Sequence, residues 1–109
     1  MTRLLLLLSL VLAACTPVQQ ATDQAGRSTA KTILPETLAI YFPQVPKQFF
    51  QPFTDCIVDN ADASEVQSLA ADAVTGTDQG TADTVRAILA RASTQQCLAA
   101  AVPGTAVPL

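Results

Sequence analysis

The chain contains no histidine and no tryptophan, and its 109 residues include a single tyrosine and a single methionine. Histidine is the commonest general base, so its absence excludes Ser-His-Asp and Cys-His catalytic arrangements. Long apolar runs are also absent, because no stretch approaches the roughly 20 apolar residues that a membrane-spanning helix needs. No segment shows the sustained period-two alternation of a half-buried strand, whereas nineteen alanines favour helix.

Positive charge is scarce as well. Six Lys and Arg residues face nine Asp and Glu residues, which gives a formal net charge of −3 at pH 7. Because an acidic chain with scattered bases is a poor match to a phosphate backbone, we expect no nucleic-acid partner. Tight electrostatic docking on anionic lipid headgroups is disfavoured for the same reason. The length permits one domain and excludes a large enzyme scaffold.

The apolar residues are concentrated at the N-terminus, where residues 1–14 hold seven of the thirteen leucines. Arg3 supplies a positive charge, and the stretch from Leu4 to Ala14 is apolar apart from Ser9. A helix of this length is only about 16 Å long, roughly half the thickness of the hydrocarbon core. The stretch therefore has the size of the apolar region of a secretory signal peptide.

The apolar stretch ends in the tetrapeptide LAAC at residues 12–15. This sequence resembles the lipobox of bacterial lipoproteins, in which a Leu and two small residues precede a Cys. The resemblance covers residues 1–15 only. It implies that residues 1–14 are a cleaved signal peptide and that the thiol of Cys15 takes a diacylglyceryl group. Acyl chains such as palmitate would then anchor the mature chain to the membrane.

The residue after the lipid-bearing cysteine is Thr16. In Gram-negative lipoproteins an Asp at this position tends to retain the protein on the inner membrane. The resemblance therefore implies attachment to the outer membrane, with the mature chain facing the periplasm.

Lipidation of Cys15 leaves two further cysteines, Cys56 and Cys97. In an oxidising compartment an even pair predicts one disulfide, and two free buried thiols are the alternative. A metal site is not expected, because the chain has neither histidine nor a CxxC pair. No cofactor is expected either.

The composition divides the mature chain into three segments. Residues 15–31 are polar and rich in Ala, Gln and Thr, which predicts a flexible tether. Residues 32–101 form the expected domain, and residues 102–109 an extended tail. We predict an all-α fold, a small bundle of three to four short helices. One disulfide would support it, since about 70 residues bury little apolar surface.

The prolines and apolar spacings give the first two helices. Residues 36–42 lie between two prolines, of which Pro35 suits a first helical turn. Residues 52–60 begin at Pro52 and place Cys56 and its apolar neighbours on one face.

Capping signals mark the later helices. Asp62 and Glu65 have capping-box spacing in front of a helix over 62–75, which Gly76 stops. A loop over 76–81 precedes the next apolar stripe. A second capping-box spacing at Ser93 predicts either a break there with a restart over 94–101, or an uninterrupted helix.

Every aromatic residue lies between Tyr41 and Phe53. In one interpretation these rings are the core of the domain. In the other, Phe49, Phe50 and Phe53 line a partly exposed groove that takes a partner's helix or an acyl chain.

The remaining motifs do not assemble a catalytic site. Ser28 and Lys31 match the S-x-x-K pattern of serine β-lactamases, but they lie in the predicted tether and no SDN or KTG element follows. Asp55 and Asp59 lie one turn apart, as on a solvated helix surface, and nothing resembles an EF-hand loop. We therefore expect no enzyme.

Together these features predict a lipid-anchored, non-catalytic interaction module that docks a partner protein in the cell envelope. Small helical pilotin-type lipoproteins, which escort secretins to the outer membrane, resemble it in general layout. The alternatives are a periplasmic carrier or chaperone for acyl chains or unfolded clients, and a protein of purely structural role.

Overall fold

The computed structural model describes residues 23–102, and every regular element in that range is a helix. The described part of α1 covers 23–41, and a 3₁₀ turn at Lys47–Phe49 leads into α2 at Phe50–Asp59; α3 spans Ala63–Thr75, α4 Gln79–Leu89 and α5 Ala92–Ala101. The predicted all-α fold is confirmed, with five α-helices where three to four were expected. None of the helices in this range is long and apolar enough to cross a bilayer.

Helix α1 is the main difference from the sequence-based prediction. Residues 23–31, expected to belong to a flexible tether, are helical. Ala30 is fully buried, and a Cβ added to Gly26 would lie 3.3 Å from Val66 Cγ1, so α1 packs closely on α3. The prediction of a tether is therefore wrong for 23–31. Residues 15–22 and the signal segment 1–14 lie outside the described residues.

Pro35 lies inside α1 and does not begin it, which corrects the predicted helix over 36–42. An interior proline removes one backbone hydrogen bond and costs about 3 kcal/mol. Its neighbours Ile33, Leu34 and Leu38 are almost completely buried. Because each such side chain contributes roughly 1.5–3 kcal/mol, their packing offsets the cost of the proline.

Helix α2 begins two residues before the predicted start at Pro52, which lies in the first turn where its missing N–H is tolerated. The helix is joined to α5 by the disulfide between Cys56 and Cys97, with 5.6 Å between the two Cα atoms. The predicted pairing is therefore confirmed. Cys56 is buried and Cys97 is partly exposed.

Capping boxes begin both α3 and α4. The Asp62 side chain accepts from the Glu65 backbone N–H, and the Glu65 side chain accepts from the Asp62 N–H, as the spacing predicted. Asp78 and Thr81 form the same reciprocal arrangement at α4. The loop between α3 and α4 covers only residues 76–78, because α4 starts at residue 79, inside the predicted loop 76–81. Gly76 ends α3 with a φ of 100°, a conformation that L side chains rarely adopt.

The helical conformation is interrupted between α4 and α5 at Ala90 and Arg91, and not at Ser93. Arg91 occupies the N-cap position but provides no side-chain cap. Its guanidinium instead donates to the backbone oxygen of Asn60 at 2.9 Å, which fixes the position of the break by a long-range contact. Val102, the first residue of the predicted extended tail, is buried, and residues 103–109 lie outside the described part.

The core lies where α2 contacts α4 and α5 and where α3 contacts α4, with one face of α1 completing it. Its largest fully buried apolar side chains come from every α-helix and are Leu34, Leu38, Ile57, Val58, Leu69, Val85, Ile88, Leu89 and Leu98. The core is thus a continuous cluster that includes both the disulfide and the aromatic segment.

Two buried hydroxyls, on Thr54 and Thr94, have no hydrogen-bond partner among the described residues. An unsatisfied buried polar group costs about 1–3 kcal/mol, whereas valine has the same shape without the hydroxyl. We expect Thr94→Val to raise the free energy of unfolding by about 1 kcal/mol in urea titrations. Thr37→Val is the matched control, because the buried Thr37 hydroxyl donates to the Ile33 carbonyl and lies 2.9 Å from the Thr77 hydroxyl. This control should lose stability, and equal effects of the two substitutions would contradict the argument.

Candidate functional site

The predicted groove residues do not share one environment. Phe53 is 2 % exposed and belongs to the core, so the groove prediction is wrong for this residue. Phe49 and Phe50 are half-buried and pack against the core from the 3₁₀ turn and the start of α2. The interpretation of the aromatic segment as core therefore holds for Phe53 and for Phe42, which is 3 % exposed.

An apolar cleft of about 280 Å³ opens elsewhere, between the end of α1 and the end of α4. Its lining residues are Tyr41, Phe42, Gln44, Arg86, Leu89 and Ala90. Phe42 and Leu89 are almost fully buried and form the floor, while Gln44, Arg86 and Ala90 are exposed at the mouth.

The local sequence explains why the cleft forms at this place. Phe42 precedes Pro43, and a residue before proline is disfavoured in the helical conformation, so α1 ends there. A turn follows, in which the Val45 N–H donates to the Phe42 carbonyl at 3.0 Å. On the other side, α4 ends at the turn through Ala90. The gap between the two helix ends stays open, because Gln44 and Ala90 at its mouth are polar or small.

Arg86 gives the cleft its electrostatic character, because it alone among the six lining residues carries a charge. Its guanidinium carbon lies 5.3 Å from the centre of the Phe42 ring, within cation–π range. The same guanidinium donates to Asp83 at 3.0 Å, one turn back along α4. A guanidinium has five N–H donors, so further donors remain for a bound acceptor.

A second, polar cleft of about 400 Å³ lies against the start of the described part of α1 and the end of α2. Its charged side chains already have partners: Arg27 pairs with Asp23, and Lys31 lies 3.2 Å from Asp55 and 3.7 Å from Asp59. Arg27 also donates to the Val58 carbonyl in α2 and to the Ala61 carbonyl in the α2–α3 connection. This arrangement attaches α1 to α2. Ser28 and Lys31, the S-x-x-K pair, both line this cleft, and Lys31 provides the ion pairs to α2.

A third polar cluster joins the start of α3 to the start of α5. Arg91 makes a bidentate pair with Glu65, at 2.6 and 2.8 Å, and lies 3.9 Å from Asp62. The hydrogen bonds with Glu65 raise the pKa of Arg91 above its usual value. Since Glu65 also completes the capping box, one side chain orients both helices.

The capping carboxylates make acid stability dependent on their ionisation. The Glu65 N–H lowers the pKa of Asp62, and the Thr81 N–H lowers that of Asp78, both below the ordinary value of 3.8. Folding therefore favours the ionised carboxylates, and the stability they add is present above pH 3.8 and lost as the pH falls through the lower folded-state pKa.

We expect the melting temperature to be level near neutral pH and to fall below about pH 4. The double variant Asp62→Asn with Asp78→Asn keeps capping side chains that cannot ionise, so its melting temperature should fall less steeply below pH 4 than that of the parent. Differential scanning calorimetry from pH 2.5 to 7 measures the melting temperatures of both proteins. An identical fall of the melting temperature in the two proteins would contradict the role given to these two carboxylates.

The cleft between α1 and α4 can hold an apolar side chain and offer hydrogen bonds from Gln44, Arg86 and the Tyr41 hydroxyl. Nothing in the sequence specified it, because its walls come from segments about 45 residues apart. No cluster of three or more His, Cys, Asp or Glu residues suited to a metal ion occurs within 23–102. Comparison with protein-family models, curated proteins and solved structures gives no match to this chain.

Proposed function

We propose that this chain is a lipid-anchored protein of the bacterial cell envelope and a small, non-catalytic module that docks a partner protein. The anchor is supported by the lipobox-like sequence Leu12-Ala13-Ala14-Cys15 behind a short apolar segment. Thr16 supports the outer membrane as the site of attachment. The Cys56–Cys97 disulfide agrees with an oxidising compartment such as the periplasm.

The apolar cleft is the observation that carries the docking part of the proposal. A small interface gains most of its energy from a few anchor side chains that enter well-packed pockets. The cleft offers such a pocket, with a rigid floor of core residues and a polar mouth. The floor residues Phe42 and Leu89 are held by the same packing that stabilises the domain, so the pocket is preformed.

The anchor is tested by expressing the chain with its native residues 1–15 in a Gram-negative bacterium. We expect the mature protein to stay in the membrane fraction after high-salt washing and to require detergent for release. Its intact mass should correspond to loss of residues 1–14 and addition of acyl chains. Cys15→Ser should abolish the mass addition and membrane retention. Release of the wild-type protein without detergent would contradict the anchor.

Docking is tested by affinity purification of the chain from membranes in mild detergent. Ala90 is exposed at the mouth of the cleft, so Ala90→Phe should fill the cleft without disturbing the core. Ala71 is exposed on α3 outside the cleft, and Ala71→Phe adds the same ring there. We expect a partner recovered in near-stoichiometric amount with the wild type and with Ala71→Phe to fall by about tenfold with Ala90→Phe. Equal recovery with both variants would contradict docking at the cleft.

A further inference from the structure

We infer that the cleft recognises an acidic peptide segment of its partner, in which a large aliphatic side chain stands next to an Asp or Glu. This inference rests on the proposed docking function and specifies its chemistry. The aliphatic side chain enters between Tyr41, Phe42 and Leu89, and the neighbouring carboxylate accepts from Arg86.

The size of the cleft fits one anchor side chain. At about 280 Å³ it lies just below the range of roughly 300–1,000 Å³ found for small-molecule sites. A long acyl chain exceeds this volume and would leave part of its length in water. A large side chain of a peptide can occupy the space together with part of its backbone at the mouth, where the Gln44 amide can both donate and accept.

Charge complementarity selects an acidic neighbour for that side chain. Arg86 is exposed at the mouth and is the one charged residue of the lining. One of its N–H groups donates to Asp83, and the others remain for a further acceptor. The lining therefore contains a cation and no anion, whereas the chain as a whole is acidic. A carboxylate at the mouth can accept from Arg86 next to an apolar surface.

The distance between Arg86 and the cleft floor sets the spacing of the two recognised groups. The guanidinium carbon lies 5.3 Å from the centre of the Phe42 ring. Consecutive Cα atoms of a peptide are about 3.8 Å apart. Because the guanidinium lies over the Phe42 ring, the apolar side chain enters beside it, and the adjacent residue of the peptide then lies within reach of the remaining Arg86 donors.

The test is an NMR titration of the ¹⁵N-labelled full chain in lipid nanodiscs with capped hexapeptides. The probe has Leu-Asp at its centre, and the matched peptides have Leu-Asn or Ala-Asp. We expect saturable shifts of the Ala90 amide and a Kd for Leu-Asp about two- to fivefold lower than for Leu-Asn, the upper part of the range for an exposed ion pair. The Ala-Asp peptide should bind about tenfold more weakly or worse.

Two charge variants identify the cation. Arg86→Gln should make the Leu-Asp and Leu-Asn peptides bind equally. Lys31→Gln removes the same charge at the polar cleft and should leave the preference unchanged. High salt should also reduce the difference in Kd between the Leu-Asp and Leu-Asn peptides, because the ion pair with Arg86 is exposed. Ala90→Phe should abolish the shifts with every peptide.

Three results would overturn the inference: equal binding of the two Leu peptides to the wild type, a preference that persists in Arg86→Gln, or no saturable shift at Ala90. Tighter binding of dodecanoate, which carries a carboxylate on an apolar chain, would replace the peptide with a fatty acid. The affinity purification, which compares partner recovery with Ala71→Phe and with Ala90→Phe, is independent of these peptide results. It shows separately whether the docking function itself has failed.

Discussion

The double variant Cys56→Ala with Cys97→Ala is expected to lose about 4 kcal/mol of unfolding free energy relative to the oxidised parent. The disulfide joins α2 to α5 across a sequence separation of 41 residues. Crosslinking a loop of that length removes conformational freedom from the unfolded chain, and the chain-entropy relation gives about 4 kcal/mol. Urea titration followed by circular dichroism measures the difference.

The expected loss is large for a domain of this size. Residues 23–102 form an 80-residue helical unit, and typical stabilities of 0.05–0.15 kcal/mol per residue amount to about 4–12 kcal/mol. Reduction of the parent protein is the control, because it opens the same crosslink without changing the sequence. It should reproduce most of the loss. A change below about 1 kcal/mol in both experiments would show that the disulfide is not a main source of stability.

Leu34→Ala is expected to lower the unfolding free energy by about 3 kcal/mol, within the range of 2–5 kcal/mol seen for buried leucines. Leu34 is fully buried on the inner face of α1, so the truncation leaves a cavity in the core. The result would show that α1 is an integral part of the domain and not a tether attached to it.

Ile40→Ala is the matched control for this truncation. Ile40 lies on the same helix but is 55 % exposed, so its loss should change the stability by less than about 0.5 kcal/mol. If Leu34→Ala and Ile40→Ala had equally small effects, the packing of α1 against the rest of the domain would be contradicted.

Local signals predicted the parts of the fold that local interactions decide. The Asp62–Glu65 capping box and the stop at Gly76 are made by residues within one or two turns of each other, so their spacing specified the ends of α3. Because the lipobox resemblance assigns Cys15 to the lipid, Cys56 and Cys97 remain as the predicted pair. The structure confirms that pairing.

The features of α1 and α5 that the sequence did not predict depend on long-range packing. The polar face of α1 and its interior Pro35 indicated a tether followed by a short helix. The burial of Ala30 and Leu34 against other helices overrides that local signal. Likewise, the break before α5 follows the contacts of Arg91 with Glu65 and Asn60, which lie about 30 residues away.

The candidate site shows the same division. The sequence correctly predicted that large apolar groups collect in the aromatic segment. Spacing alone could not show which rings form the floor of the cleft, which lie in the core and which stay at the surface. Phe53 points into the core, whereas Tyr41 and Phe42 meet the end of α4. Arg86 was missed because its approach to Phe42 joins residues 44 positions apart. No local pattern marks Arg86, which directly follows Val85 on the exposed side of α4.

Docking of a partner at the cleft is tested most directly by site-specific photo-crosslinking in living cells. A photoreactive phenylalanine derivative is placed at position 44, at the mouth of the cleft, or at position 71, on the outer face of α3. The proposed function predicts a discrete protein adduct from position 44 in the membrane fraction and none from position 71. It also predicts a weaker adduct from position 44 in Arg86→Gln if the partner segment is acidic, and loss of the adduct when Ala90→Phe fills the cleft. No adduct at position 44, or the same adducts from both positions, would contradict docking at the cleft.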